Sequence, residues 1–80
     1  MRRTLAEIKE TIGPVAIFVR ERRKQAGLTQ EELAARCGVG PRFLKELERG
    51  KASLRMDKVL EVLQFFGHTL GPVALPEDER

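Results

Sequence analysis

Four charged side chains recur at one helical spacing near the middle of this chain: Arg42, Lys45, Glu46 and Arg49, at i, i+3, i+4 and i+7. On a helix such positions share a face. Groups of this kind can grip a phosphate and read a base edge. A guanidinium at Arg42 can donate two parallel hydrogen bonds to O6 and N7 of guanine, worth about 1–3 kcal/mol of base discrimination. Lys45 can reach guanine or a phosphate. Glu46 can accept from the N4 amino group of cytosine, or pair with Arg42 one turn back. Lys51, just past this run, is placed for a phosphate, with Arg49 beside it.

The rest of the chemical inventory is thin. The chain holds one His, one Cys and one Ser, too little for a nucleophilic triad or a metal-ligand cluster. No loop has the glycine pattern that cradles a nucleotide, and no cofactor is implied. Cys37 reads as a small buried hydrophobe, not a redox switch. An enzyme is therefore not expected.

Two short helices must position the charged run. Thr29-Gln30-Glu31-Glu32 is a capping box, so a helix starts there. Leu33, Ala34 and Cys37 form its inward stripe. Gly38-Val39-Gly40 supplies a turn, with Val39 plugged into the core. Pro41 then occupies a first helical position, where its missing N–H costs nothing. Phe43, Leu44 and Leu47 face inward, opposite the charged face. Helix, short turn, and a second helix with an exposed cationic flank make the sequence form of a helix-turn-helix, whose second helix fits the DNA major groove. Gln30 lies at the N-terminus of the first of these helices, where backbone N–H groups attract phosphate.

Flanking segments complete one small domain. Thr4-Leu5-Ala6-Glu7 reads as another capping box, opening a short helix that Gly13-Pro14 breaks or restarts. A longer helix follows from Pro14 to about Ala26, with Val15, Phe18 and Val19 inward and Ile17 opposite. The pattern Met56, Val59, Leu60, Leu63, Phe66 predicts a last helix, with Phe65 pointing elsewhere. His68-Thr69-Leu70-Gly71-Pro72-Val73-Ala74-Leu75 has no helical period and predicts an extended strand. A lone strand needs a partner, most simply its copy in a second subunit. Phe65, His68, Thr69, Leu70 and Val73 are then the dimer contacts. The expected organisation is an N-terminal helical extension over 1–13, a DNA-binding unit over 14–67, a dimerising strand over 68–75 and an acidic tail over 76–80.

Charge agrees with this plan. Net charge is only +3, yet residues 20–58 hold eleven Lys/Arg against six Asp/Glu. A basic centre beside the motif is the footprint expected for phosphate contact. No run approaches the roughly eighteen apolar residues a membrane span requires, so a cytoplasmic, nucleoid-associated protein is expected.

The segment resembles the Cro/repressor (XRE) helix-turn-helix family over roughly residues 14–67. The residues that carry the likeness are Val19 with Arg23, Gly27-Leu28-Thr29-Gln30, Leu33-Ala34, Gly38-Val39 and Leu47-Glu48-Arg49-Gly50. Within that family, the stretches 19–24, 42–51 and 57–64 look most like the HipB-type branch. That resemblance implies an all-α fold of five helices, similar to lambda repressor, with a short C-terminal strand. It also implies a dimer on palindromic operator DNA that acts as an antitoxin against a HipA-like kinase toxin. It further implies an ion pair between Arg23 and Glu48 and a DNA contact at Gln30. One departure is Gly40-Pro41, where the family has a polar pair; readout then falls on Gln30, Arg42, Lys45 and Glu46. The alternatives are a stand-alone regulator of the same fold with no toxin partner, and a protein-binding module that has lost DNA.

Overall fold

The computed structural model describes residues 5–74, with side chains described from residue 12. Four helices follow one another: α1 (Leu5–Gln25), α2 (Gln30–Cys37), α3 (Pro41–Glu48) and α4 (Met56–Phe65). Helix α3 packs against both α1 and α2, and α2 also packs against α4. Their shared core is Val19, Leu33, Ala34, Val39, Leu44, Leu47, Val59, Val62 and Leu63. Leu33, Leu44 and Val62 are fully buried, one from each of α2, α3 and α4. Because α2, α3 and α4 have only two to three turns each, this shared burial, rather than propensity, supplies most of their stability.

Local signals set the motif. Thr29 Oγ1 accepts from the Glu32 N–H at 3.0 Å, while the Glu32 side chain accepts from the Thr29 N–H at 2.8 Å. Two otherwise orphaned donors are thereby satisfied at the start of α2. At its other end Gly38 takes φ 76°, a left-handed conformation that a Cβ disfavours. Its successor Val39 donates its N–H to Ala34 O and stays buried between the helices. Pro41 opens α3 with Gly40 as an N-cap that offers no side-chain hydrogen bond.

Three expectations are corrected. Gly13-Pro14 does not divide the N-terminal region: α1 is one helix of 21 residues with Pro14 inside it, so the described residues form four helices, not five. Proline's fixed φ suits a helix; it gives up one hydrogen bond, and the packing of the following turns through Ala16 and Val19 carries the helix on. Thr4, the proposed cap, lies outside the described residues.

The predicted strand over 68–75 is also absent among the described residues, of which 68–74 form neither helix nor ladder; Leu75 lies outside them. The chain instead closes α4. The Gly67 N–H donates to Gln64 O and the His68 N–H to Leu63 O, both at 2.9 Å, with Gly67 at φ 75°. This pair of bonds is a Schellman cap. Among the described residues those beyond it have no neighbouring strand to complete a sheet. Finally, Met56 is 67% exposed instead of inward. It is the first residue of α4, and the buried stripe begins a turn later as Val59, Val62 and Leu63.

Candidate nucleic-acid interface

Glu48 is the anchor beneath the charged face. It is the one charged residue buried among those described, and Arg23 reaches it from α1 through two donors. The Arg23 Nε donates to Oε2 at 2.6 Å and Nη2 donates to Oε1 at 3.0 Å. The remaining guanidinium nitrogen, Nη1, donates to Leu28 O at 2.9 Å. Gln30 Nε2 adds a third donor to Glu48, meeting Oε1 at 3.0 Å. Burial is the strongest single influence on the Glu48 carboxyl and pushes its pKa up. The hydrogen bonds from Arg23 and Gln30, with the charges of Arg23 and Arg20, outweigh it and hold the group below its ordinary value of 4.5. The same bond raises the Arg23 pKa above its usual range, against desolvation.

The two ends of the motif are thus tied to one carboxylate. Glu48 sits at the end of α3, Arg23 near the end of α1, and Gln30 at the start of α2. Gln30 is thereby held half-buried at the α2 N-terminus, its amide nitrogen directed at Glu48. The spacing of 18 residues between Gln30 and Glu48 gave no sequence signal for this contact.

Outside this anchor lies the cationic face. Gln30, Arg42, Lys45, Glu46 and Arg49 line one shallow concavity of about 400 Å³, joined by Glu31 and Pro41. A second of about 370 Å³ adjoins it, sharing Glu46 and Arg49 and adding Gly50, Lys51 and Ala52. The six residues singled out for DNA contact therefore form one continuous surface. Arg42, Lys45, Arg49 and Lys51 are exposed on it, while Glu46 is half-buried. Glu46 lies between two cations, 3.7 Å from Arg42 Nε and 3.5 Å from Lys51 Nζ. Glu31 and Pro41 were not anticipated as lining; both follow from the tight turn that sets α3 across the start of α2.

The residues singled out for a dimer contact are scattered by contrast. His68 turns back on its own chain, its ring 4.5 Å from that of Phe18 and its Nδ1 2.8 Å from Phe66 O. Phe65 meets Phe66 edge-to-face at 5.0 Å and remains 41% exposed. Thr69, Leu70 and Val73 are exposed. Leu70 lines a mostly apolar hollow of about 230 Å³ with Ile12, Val15, Leu47, Leu54 and Met56 among others. Cys37 is half-buried, and burial, then the charge of Glu61, raises its thiol pKa, so the unreactive thiol form dominates.

Among the described residues no group of His, Cys, Asp and Glu is arranged to hold a metal ion, and no helix is long and apolar enough to cross a membrane.

A capped helix, a glycine turn and a second helix with its cationic flank in solvent define a DNA-binding helix-turn-helix. Residues 19–71 match the family described as Helix-turn-helix (HTH_3), and the chain belongs to that family. It is similar to the HTH-type transcriptional regulator y4mF of Sinorhizobium fredii, 40% identical over 70 residues that span 88% of this chain and 92% of that protein. A second regulator of that organism, y4dJ, is 39% identical over 57 residues, covering 71% and 74%. An HTH-type transcriptional regulator of Methanothermobacter thermautotrophicus is 54% identical over 36 residues, covering 45% of this chain and 52% of its own.

Proposed function

We propose that this chain is a transcriptional repressor that binds double-stranded operator DNA in a sequence-dependent way. The observation that carries the reading is the outward flank of α3, where Arg42, Lys45 and Arg49 stand in solvent while Leu44, Leu47 and Glu48 lock the opposite flank to the bundle. An α-helix about 10–12 Å across fits a major groove about 12 Å wide. Arg42 and Lys45 read base edges, Gln30 and the α2 N-terminus hold a phosphate, and Lys51 and Arg49 hold the backbone beyond. The names of the two regulators from S. fredii support the coarser part of this reading, a role in transcription regulation.

Binding is as a homodimer on a palindromic site, with the two α3 helices about 34 Å apart. The exposed apolar residues Ile17, Phe65, Leu70 and Val73 are available to such a contact. Selection of bound duplexes from a random DNA library tests both statements. A recurring inverted repeat is the expected result; recovery of unrelated sequences, or of no duplex, defeats the reading.

The likeness of stretches 19–24, 42–51 and 57–64 to HipB-type proteins supports a finer reading, in which the repressor is also the antitoxin of a HipA-like kinase toxin. A stand-alone regulator is the competing reading. Co-expression with the product of an adjacent kinase-like gene separates them: a stable complex favours the antitoxin, and independent elution favours the stand-alone regulator.

A further inference from the structure

The carboxylate of Glu46 stands between Arg42 and Lys51 on a surface that also presents Lys45 and Arg49, with Glu31 the other acidic residue among its lining. Each of its oxygens faces one cation, Oε2 toward Arg42 and Oε1 toward Lys51. The backbone fixes this arrangement, because the Lys51 N–H also donates to the Glu46 carbonyl at 3.1 Å and so brings the lysine back over the helix end. A negative charge here opposes the approach of any phosphate. It also occupies two cations, Arg42 placed for a base edge and Lys51 placed for a phosphate. At 3.5 and 3.7 Å both pairs are longer than a good hydrogen bond, so they exchange for a better partner at little cost.

Resting on the operator-binding reading above, we propose that Glu46 determines specificity by rejection. On random DNA it holds Lys51 from the backbone and Arg42 from base edges, and meets no donor. On the right site a cytosine N4–H₂ in the major groove supplies that donor, and the two cations are released to guanine and phosphate. The carboxylate therefore weakens non-specific binding more than it weakens specific binding.

The test compares wild type with Glu46→Gln, which keeps the side-chain shape and helix preference but removes the charge. Affinities are measured by fluorescence anisotropy across a KCl series, on a random-sequence duplex and on the duplex that wild type selects. Glu46→Gln should bind the random duplex about two- to fivefold more tightly, the factor set by an exposed ion pair. Its salt slope should steepen by about 0.9, one additional phosphate neutralised by Lys51. In a Lys51→Ala background the same substitution should leave the slope unchanged. Repeated selection should replace a cytosine in each half-site with adenine, the base a glutamine reads. Unchanged or weaker binding to the random duplex, or a retained cytosine, overturns the proposal, provided thermal melts show both proteins folded. Failure of wild type to select any site defeats the operator reading itself and is distinct from either result.

Discussion

Arg23 holds the carboxylate of Glu48 with two parallel donors, at 2.6 and 3.0 Å, across the contact between α1 and α3. This geometry makes Glu48 different in kind from Glu46, two residues earlier on the same helix. Both are paired with arginine, yet only Glu48 is out of water. Removing a partner from a buried pair strands a charge; removing one from an exposed pair strands nothing.

Glu48→Ala should therefore cost about 3 kcal/mol, the low end for a broken buried pair because Arg23 keeps some access to solvent. For a domain of this size each kcal/mol lowers Tm by about 4–8 °C. Glu46→Ala should cost under about 1 kcal/mol. Thermal melts followed by circular dichroism compare the two directly. Equal, small losses would show that the Arg23–Glu48 pair contributes little to the fold.

The same carboxylate sets a pH dependence. Its folded pKa lies below the unfolded value of about 4.5, so the unfolded chain takes up the proton more readily. Stability from this group is fully present above pH 4.5 and drains away as pH falls through the lower folded value. Urea midpoints measured from neutral pH down into this range should fall for wild type. In Glu48→Gln they should fall less steeply, from a lower starting point. Parallel curves for the two proteins would place the acid sensitivity elsewhere.

What was legible in the sequence is what short-range hydrogen bonding decides. The box at Thr29–Glu32, the turn at Gly38 and the start at Pro41 are each settled within four residues, and each is where its spacing indicated. The meeting of Arg23 with Glu48 came from resemblance, and the bond from Gln30 to Glu48 came from neither spacing nor resemblance. Contacts across 18 residues depend on how helices cross, which no local pattern encodes. Pro14 misled because a local penalty was weighed without the packing that overrides it. His68 misled because an aperiodic segment after a glycine is as consistent with a helix cap as with a strand. Met56 is in phase with the α4 stripe but, as the first residue of the helix, opens onto the shallow hollow that Leu70 also lines. Phase alone does not measure burial.

Two cations on the proposed DNA face should fail in different ways. Arg42 is 92% exposed at its side chain and lies in the first turn of α3, its pairing with Glu46 loose enough at 3.7 Å to be exchanged for a base edge. Lys51 lies past the helix end, tethered by its backbone to Glu46. Arg42→Ala should relax the preference at one or two base positions, each by about 1–3 kcal/mol, with little change on random DNA. Lys51→Ala should weaken the selected site and its point variants alike and flatten the salt slope there by about 0.9, with a smaller loss on random DNA, where Glu46 already holds the lysine back. Band shifts on a selected site, its point variants and a random duplex distinguish these patterns. If both variants bind like wild type, the assigned face is wrong.

The turn between α2 and α3 offers a pair of substitutions with opposite signs. Gly38 has φ 76°, and a Cβ added there meets no atom within 4 Å. Any cost of Gly38→Ala is thus backbone strain alone, about 1 kcal/mol. Gly40 has φ −75° and ψ 150°, ordinary for an N-cap, and provides no side-chain acceptor to α3. Gly40→Ser supplies one and removes freedom from the unfolded chain, so it should stabilise by a few tenths of a kcal/mol. Added together, the two changes should nearly preserve the fold while leaving Gly38→Ala clearly lower in melting temperature than Gly40→Ser. A reversed order would mean that the turn does not hold the left-handed residue at Gly38, and with it the crossing of α2 and α3 that places Gln30 beside Arg42.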